Sequence, residues 1–135
     1  IVIHHSASID HPLFDWGEIR RWHLRRGWID IGYHYGIEKI DGNYEILLGR
    51  FEQQSGAHCP QQRMNHIGIG VCCIGNFDIT PPPPDQWEKC LMLTRSLMDR
   101  LNIPKENVLG HGEVEGTATA CPGRFWDMNK FRQEL

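Results

Sequence analysis

The chain has 135 residues, 40% hydrophobic and 23% charged, and this length supports one hydrophobic core rather than two. A formal net charge of −3 excludes the global positive field that holds nucleic acid or an anionic membrane. No apolar run approaches the ~20 residues that would span a bilayer. We therefore expect no nucleic-acid partner and no membrane insertion.

The first part of the chain changes from a strand pattern to a helix pattern. A short apolar run predicts a buried strand over residues 1–4. Asp15 and Glu18 resemble a capping box that begins a helix, and Gly27 supplies its stop. Four residues at helical spacing form its inward face: Trp16, Ile19, Trp22 and His23.

The middle of the chain predicts three strands. Residues 32–40 and 44–48 flank Asp41-Gly42-Asn43, which indicates a hairpin because its turn requires positive φ. Residues 67–74 are almost continuously apolar and contain glycine, which is typical of a strand buried on both faces.

A long helix follows four consecutive prolines. Residues 81–84 are expected to be neither helix nor central strand, because proline lacks the amide donor. Asp85 and Glu88 resemble the start of a helix. Its predicted inward face consists of five residues: Trp87, Leu91, Thr94, Met98 and Leu101.

The last part predicts a strand and a terminal helix. Residues 107–110 form the short strand, and Pro122-Gly123 opens the helix. Three apolar residues point inward from it: Phe125, Met128 and Phe131. The change of period from two to 3.6 and back along the chain is the pattern of an α/β or α+β domain.

The cysteines form no evenly spaced disulfide framework. Their number is odd: Cys59, Cys72, Cys73, Cys90 and Cys121. Cys72 and Cys73 are neighbours on a predicted strand and should point to opposite faces. If Cys121 binds metal, the other four are best explained as small buried hydrophobes in a reducing compartment, which favours synthesis in a cytoplasm.

Three residues form a candidate metal site. His4 ends the first predicted strand, His111 follows the last, and Cys121 lies in the loop before the final helix. Strand ends gather functional groups at one edge of a sheet. Two imidazoles and one thiolate suit zinc, and three protein ligands leave the fourth tetrahedral position open for water, so the pattern points to hydrolysis. The alternative is chance, since eight histidines produce some His/Cys pairs that are only surface or packed residues.

The chain resembles the zinc-dependent N-acetylmuramoyl-L-alanine amidases, a family that includes phage amidase-type lysozymes and peptidoglycan recognition proteins. Four segments carry the resemblance, in this order: IVIHHSAS, IRRWHLRRGWIDIGYHYGIEKIDG, GAHCPQQRMNHIGIGVCCIGNFD and GHGEVEGTATACPG. It covers nearly the whole chain and implies one catalytic domain over residues 1–135, an α/β fold with a central mixed sheet flanked by helices. It also implies one Zn²⁺ per chain, with His4, His111 and Cys121 as ligands.

The resemblance assigns roles to four further residues. Tyr33 of GYH becomes the active-site tyrosine beside the metal. Thr119 falls where phage enzymes commonly have lysine and recognition-type amidases threonine, and it is expected to face the oxyanion of the substrate. His58 of GAHC lies on a loop where related enzymes approach the substrate, with a merely polar loop residue as the alternative. For His34, substrate binding and simple packing both remain open.

The implied activity is hydrolysis of the amide bond between N-acetylmuramic acid and L-alanine in peptidoglycan. No cysteine precedes Cys59, where animal recognition proteins usually carry a pair, so the phage or bacterial branch is favoured. We expect synthesis in a bacterial cytoplasm and action on the cell wall, as in an endolysin.

Two alternatives belong to other classes. One is a non-catalytic peptidoglycan receptor on the same fold, but such relatives typically lose the cysteine ligand, and Cys121 is present here. The other is an interaction protein, since some phage amidases bind RNA polymerase. No residue tests that second alternative, and a pull-down with polymerase would.

Overall fold

Five strands form one mixed sheet in the computed structural model, which describes residues 1–9 and 12–135. The strands are β1 (Val2–His5), β2 (Tyr35–Ile40), β3 (Asn43–Leu48), β4 (Gly70–Cys73) and β5 (Leu109–Gly110). Their order is β3-β2-β4-β1-β5, and β1 pairs in parallel with both β4 and β5. β2 is parallel to β4 and antiparallel to β3. The mixed α/β sheet expected from the sequence is confirmed.

Helices cover both faces of this sheet. They are α1 (Trp16–Arg25), α2 (Met64–Ile67), α3 (Pro84–Leu101) and α4 (Met128–Gln133). Side chains of α3 and α4 pack with Ile3, Val71 and Cys73 in the main core, whereas α1 packs on Cys72 and Ile74. Within the described ranges, no helix is long and apolar enough to cross a membrane.

Alternation along the central strands assigns side chains to the two faces. Ile3 of β1 belongs to the main core, while Val2 packs with Cys59 on the other face. Cys72 and Cys73 likewise enter different clusters, which confirms that they point apart. All five cysteines lie in the described ranges and are free, and the four other than Cys121 are buried, as expected.

The start of α1 agrees with its prediction, but one residue of its inward face does not. The Asp15 carboxylate accepts the amide of Glu18 at 2.7 Å, and Glu18 itself pairs with Arg21 instead of closing the capping box. Trp16 and Ile19 are buried, whereas Trp22 is exposed. At about 100° per residue, Trp22 lies about 120° around the helix from Trp16, so the inward placement of Trp22 was wrong.

The hairpin turn is confirmed by positive φ at Asp41 and Gly42, but the strand bounds differ from the prediction: β2 begins three residues later, and β3 begins at Asn43, one residue earlier. The segment predicted as strand from residue 67 begins as strand only at Gly70, because the exposed Ile67 ends α2. Residue 32 lies outside β2, since its amide donates to the His23 ring instead of a strand. β5 begins at Leu109, after a 3₁₀ turn over 105–107.

Both C-terminal helices begin elsewhere than predicted. Pro84 is the first residue of α3, because a first-turn residue needs no amide donor, and no side chain caps this end. α4 begins at Met128, with the Asp127 carboxylate accepting the Lys130 amide, and not at Pro122. Turn hydrogen bonds occupy the intervening segment, including Trp126 N to Gly123 O at 2.9 Å.

The inward faces of these two helices are only partly as predicted. In α3, Leu91 and Thr94 are buried, but Leu101 at the end of the helix is exposed. Met128 and Phe131 are buried as predicted, whereas Phe125 precedes α4 and is exposed.

Substitution of Leu97 tests which face of α3 packs in the core. It lies on α3 with 0% exposure, whereas Met92 on the same helix is 49% exposed. We expect Leu97→Ala to lower the free energy of unfolding by about 2–5 kcal/mol, because the change removes buried methyl groups and leaves a cavity. Met92→Ala should change it by less than about 0.5 kcal/mol. Chemical denaturation measures both, and equal effects would contradict the assignment of faces.

Candidate metal centre

The pairing of β1 with β5 brings two histidines together. Ile3 is opposite Gly110 in this parallel register, so the next residues, His4 and His111, follow side by side. Their ring centroids lie 4.6 Å apart. His4 is buried and His111 half-buried, so the pair lies at the edge of the protein interior.

Cys121 reaches this pair through a tightly bonded loop. The Gly112 amide donates to the Cys121 carbonyl at 2.7 Å, which ties the loop to the segment after β5. The Cys121 sulfur lies 3.7 Å from His4 Nδ1 and accepts the His5 amide at 3.4 Å. One donor atom from each of His4, His111 and Cys121 lies within 4.8 Å of the others.

This donor set fits a tetrahedral metal ion. Zinc bonds of about 2.0–2.3 Å place neighbouring ligand atoms roughly 3.5 Å apart. The 3.7 Å separation between His4 Nδ1 and the Cys121 sulfur is close to that value. Two nitrogens and one sulfur are also ligands that zinc takes. These three residues could hold the ion and leave one tetrahedral position for a fourth ligand.

Burial keeps all three donors uncharged when no cation is near them. It lowers the pKa of His4 well below its ordinary value, and positive charge on His58 or His111 would act in the same direction. Burial also lowers the pKa of His111. It raises the pKa of the Cys121 thiol to about 12, against the smaller opposite effect of the His5 amide. A divalent cation would bind the imidazoles in this neutral form and would ionise the thiol.

Tyr33 borders the group from the α1 side. Its ring centroid is 5.2 Å from that of His4, and it packs against the cluster of Trp16 and Cys72. Burial raises the pKa of Tyr33 well above its ordinary value, and the nearby sulfurs of Cys72 and Cys121 act in the same direction. The phenol is therefore protonated at neutral pH, and a hydrogen bond between its hydroxyl and the Cys72 thiol also raises its pKa.

Thr119 is exposed and lies directly beside Cys121. Its hydroxyl oxygen accepts the Cys121 amide at 3.1 Å, which orients the side chain. Because the oxygen is used as an acceptor there, the hydroxyl proton remains available to a ligand.

His58 contacts His4 at Nε2, the ring nitrogen that does not face Cys121. His58 Nδ1 lies 3.0 Å from His4 Nε2, and the two rings meet edge to face at 84°. The amide of His58 donates to the Asn65 side chain at 2.7 Å. Glycines on both sides leave room for the ring, since a Cβ on Gly56 or Gly70 would lie 2.5 or 2.6 Å from ring atoms of His58.

The His58 ring is neutral and has one unsatisfied nitrogen. Burial lowers its pKa to about 3, and positive charge on His34 acts in the same direction. The backbone of Gly68 raises that pKa, and among the described residues Nε2 has no partner that meets the geometric limits of a hydrogen bond.

Both ring nitrogens of His34 form hydrogen bonds within the protein. It is 1% exposed, its Nδ1 accepts the Gly70 amide at 3.0 Å, and its Nε2 lies 2.9 Å from the Gln54 carbonyl. Because Nδ1 is an acceptor, Nε2 carries the proton and donates to that carbonyl. Of the two alternatives for His34, the geometry favours packing.

A buried arginine joins the loops that carry Tyr33 and His58. The Arg50 guanidinium donates to the carbonyls of Ile31 at 2.9 Å and Asp30 at 3.2 Å. A third bond, at 2.6 Å, reaches the Ser55 carbonyl. The sequence analysis did not identify Arg50, because a lone arginine in a polar segment carries no motif.

Comparisons with known proteins agree with this geometry. The family model described as N-acetylmuramoyl-L-alanine amidase matches residues 1–124. The endolysin of Escherichia phage T7 is 34% identical over 135 residues, which cover 96% of this chain and 86% of the phage protein. A peptidoglycan-recognition protein of Drosophila melanogaster is 34% identical over 131 residues, covering 91% of this chain and 67% of the insect protein.

A solved structure supports the same assignment. The N-acetylmuramoyl-L-alanine amidase LysC from Clostridium intestinale URNW superposes with a TM-score of 0.82 and 32% identity. The match covers 98% of this chain and 81% of that one. With the family model and the phage relative in agreement, the chain belongs to the N-acetylmuramoyl-L-alanine amidase family.

Proposed function

We propose that this chain hydrolyses the amide bond between N-acetylmuramic acid and L-alanine with a zinc ion held by His4, His111 and Cys121. Family membership supports peptidoglycan amide hydrolysis. The observation that carries the zinc assignment is the convergence of the three donor atoms within 4.8 Å. When bound, zinc supplies a Lewis acid that polarises the scissile carbonyl and lowers the pKa of water toward neutrality.

Tyr33 and Thr119 supply hydrogen bonds to the reacting groups in this proposal. Burial keeps the Tyr33 phenol protonated, so its role is to donate and to position rather than to act as a general base. The Thr119 hydroxyl, oriented by the Cys121 amide, donates to the developing oxyanion. Both contacts strengthen as negative charge grows on the carbonyl oxygen, which is when they lower the barrier.

His34 and His58 are not assigned direct substrate contacts. Both nitrogens of His34 are hydrogen bonded within the protein, and the side chain is 1% exposed. His58 is 8% exposed and faces His4 with its Nδ1. The proposed site of action is the bacterial cell wall, in keeping with the phage endolysins among the relatives. RNA polymerase binding remains a separate hypothesis.

The bond that is cut tests the proposed function. Digestion of isolated peptidoglycan should release stem peptides with free L-alanine N-termini and leave intact glycan strands, as measured by mass spectrometry. A chelator should abolish release, and restored zinc should recover it. New reducing ends that persist with the chelator would identify a glycosidase instead. Binding without any release would indicate the non-catalytic receptor.

Substitution of Cys121 tests the proposed set of zinc ligands. Protein purified without added zinc should contain one zinc per chain, and Cys121→Ala should lose most of it, because one of three donors is removed. Cys90→Ala is the matched control, since Cys90 is buried in the main core on the other face of the sheet. Full zinc content in Cys121→Ala would show that the ligand assignment is wrong.

The hydroxyl of Tyr33 can be removed with little change in packing. We expect Tyr33→Phe to keep its zinc while turnover falls by roughly 10²-fold or more, because a donor to the transition state is lost. Tyr35→Phe is the control, because that hydroxyl donates to Glu52 and the Tyr35 ring packs against the main core. Steady-state peptide release measures both. Turnover of Tyr33→Phe within a few-fold of wild type would leave Tyr33 only a packing role.

A further inference from the structure

We infer that His58 is a positioning residue, which accepts a hydrogen bond from His4 and thereby holds His4 in the tautomer that binds zinc. This inference rests on the proposed function, since it concerns one of the proposed ligands. It changes the role of His58 from the substrate contact expected from the sequence to a partner of the metal site.

The two nitrogens of His4 have different neighbours. Nδ1 lies 3.7 Å from the Cys121 sulfur, on the side of the donor group. Nε2 lies 3.0 Å from His58 Nδ1. A ligand nitrogen must be unprotonated, so a His4 that binds through Nδ1 carries its proton on Nε2. Among the described residues the hydrogen-bond partner of Nε2 is His58 Nδ1, which must then be the acceptor.

The surroundings hold the His58 ring in the orientation that this bond requires. The Asn65 side chain accepts the amides of His58 and Cys59, each at 2.7 Å, and so fixes the backbone. Gly56 and Gly70 border the ring so closely that any side chain there would collide with it. Ligating histidines commonly donate their second N–H to a fixed acceptor, and loss of that acceptor typically weakens metal binding 10–100-fold.

The same geometry argues against a substrate contact. His58 is 8% exposed, and its Nε2 is buried with no hydrogen-bond partner in the part of the chain that the structure describes. With Nδ1 directed at His4, neither nitrogen is presented to a ligand in solution.

Two substitutions of His58 separate these roles. His58→Leu removes the acceptor and keeps an apolar side chain in the slot, whereas His58→Asn places an amide oxygen near the position of Nδ1. The zinc dissociation constant, measured without substrate by competition with a chelator, should rise about 10–100-fold in His58→Leu. It should stay within a few-fold of wild type in His58→Asn. His66→Leu is the control, because His66 is exposed on a neighbouring segment.

Each outcome bears on the inference. Wild-type zinc affinity in His58→Leu with a raised KM would overturn it in favour of substrate binding, and the zinc site itself would stand. Equal losses in the Leu and Asn variants would show that only packing matters. If His58→Leu does not fold, as judged by chemical denaturation, His58→Ala takes its place with the same expected loss. Absence of zinc binding in the wild-type protein would overturn the proposed function together with this inference.

Discussion

The register of β1 between β4 and β5 determines where the proposed metal donors lie. β1 is buried on both faces, and its residues alternate between the main core and the opposite face, where Val2 packs with Cys59 and Val114. Burial of Ile3 therefore fixes the orientation of the His4 side chain. A shift of the β1 register by one residue would move Ile3 out of the main core and would turn the His4 imidazole toward the opposite face of the sheet. The same register sets His111 beside His4 at the end of β5. Apolar burial one residue away thus stabilises the geometry of the polar site.

Burial also decides the charge of the site. The two imidazoles and the thiol are all neutral in the absence of a cation, since burial disfavours each charged form. Ionisation of Cys121 on metal binding contributes the single negative charge of the donor set. The neutral His58 adds no charge next to Nε2 of His4, whereas many metal-bound histidines donate that second N–H to a carboxylate. The thiolate therefore offsets one of the two positive charges of a divalent ion, and the other would remain to polarise a carbonyl.

Sequence reasoning succeeded where a local pattern determines the structure. Buried strands, the Asp41-Gly42 turn and the Asp15 cap each depend on a few neighbouring residues, and the meeting of His4 with His111 and Cys121 follows from strand ends at one edge. The start of α3 was misplaced because proline is tolerated in the first turn of a helix, and the start of α4 because turn hydrogen bonds occupy the segment before Met128. The contact of His58 with His4 spans 54 residues in sequence and depends on ring orientation, so no periodic pattern encodes it.

The three carbonyl contacts of Arg50 make two separate loops behave as one unit. Residues 30–33 and 55–58 share a single buried cation, so neither segment can shift without leaving an N–H of the guanidinium unsatisfied. Natural or engineered exchange of loops between relatives therefore has to transfer both segments together with the arginine. A graft of the tyrosine-bearing segment alone would have to keep the Asp30 and Ile31 carbonyls within reach of Arg50, because the same cation also holds the Ser55 carbonyl.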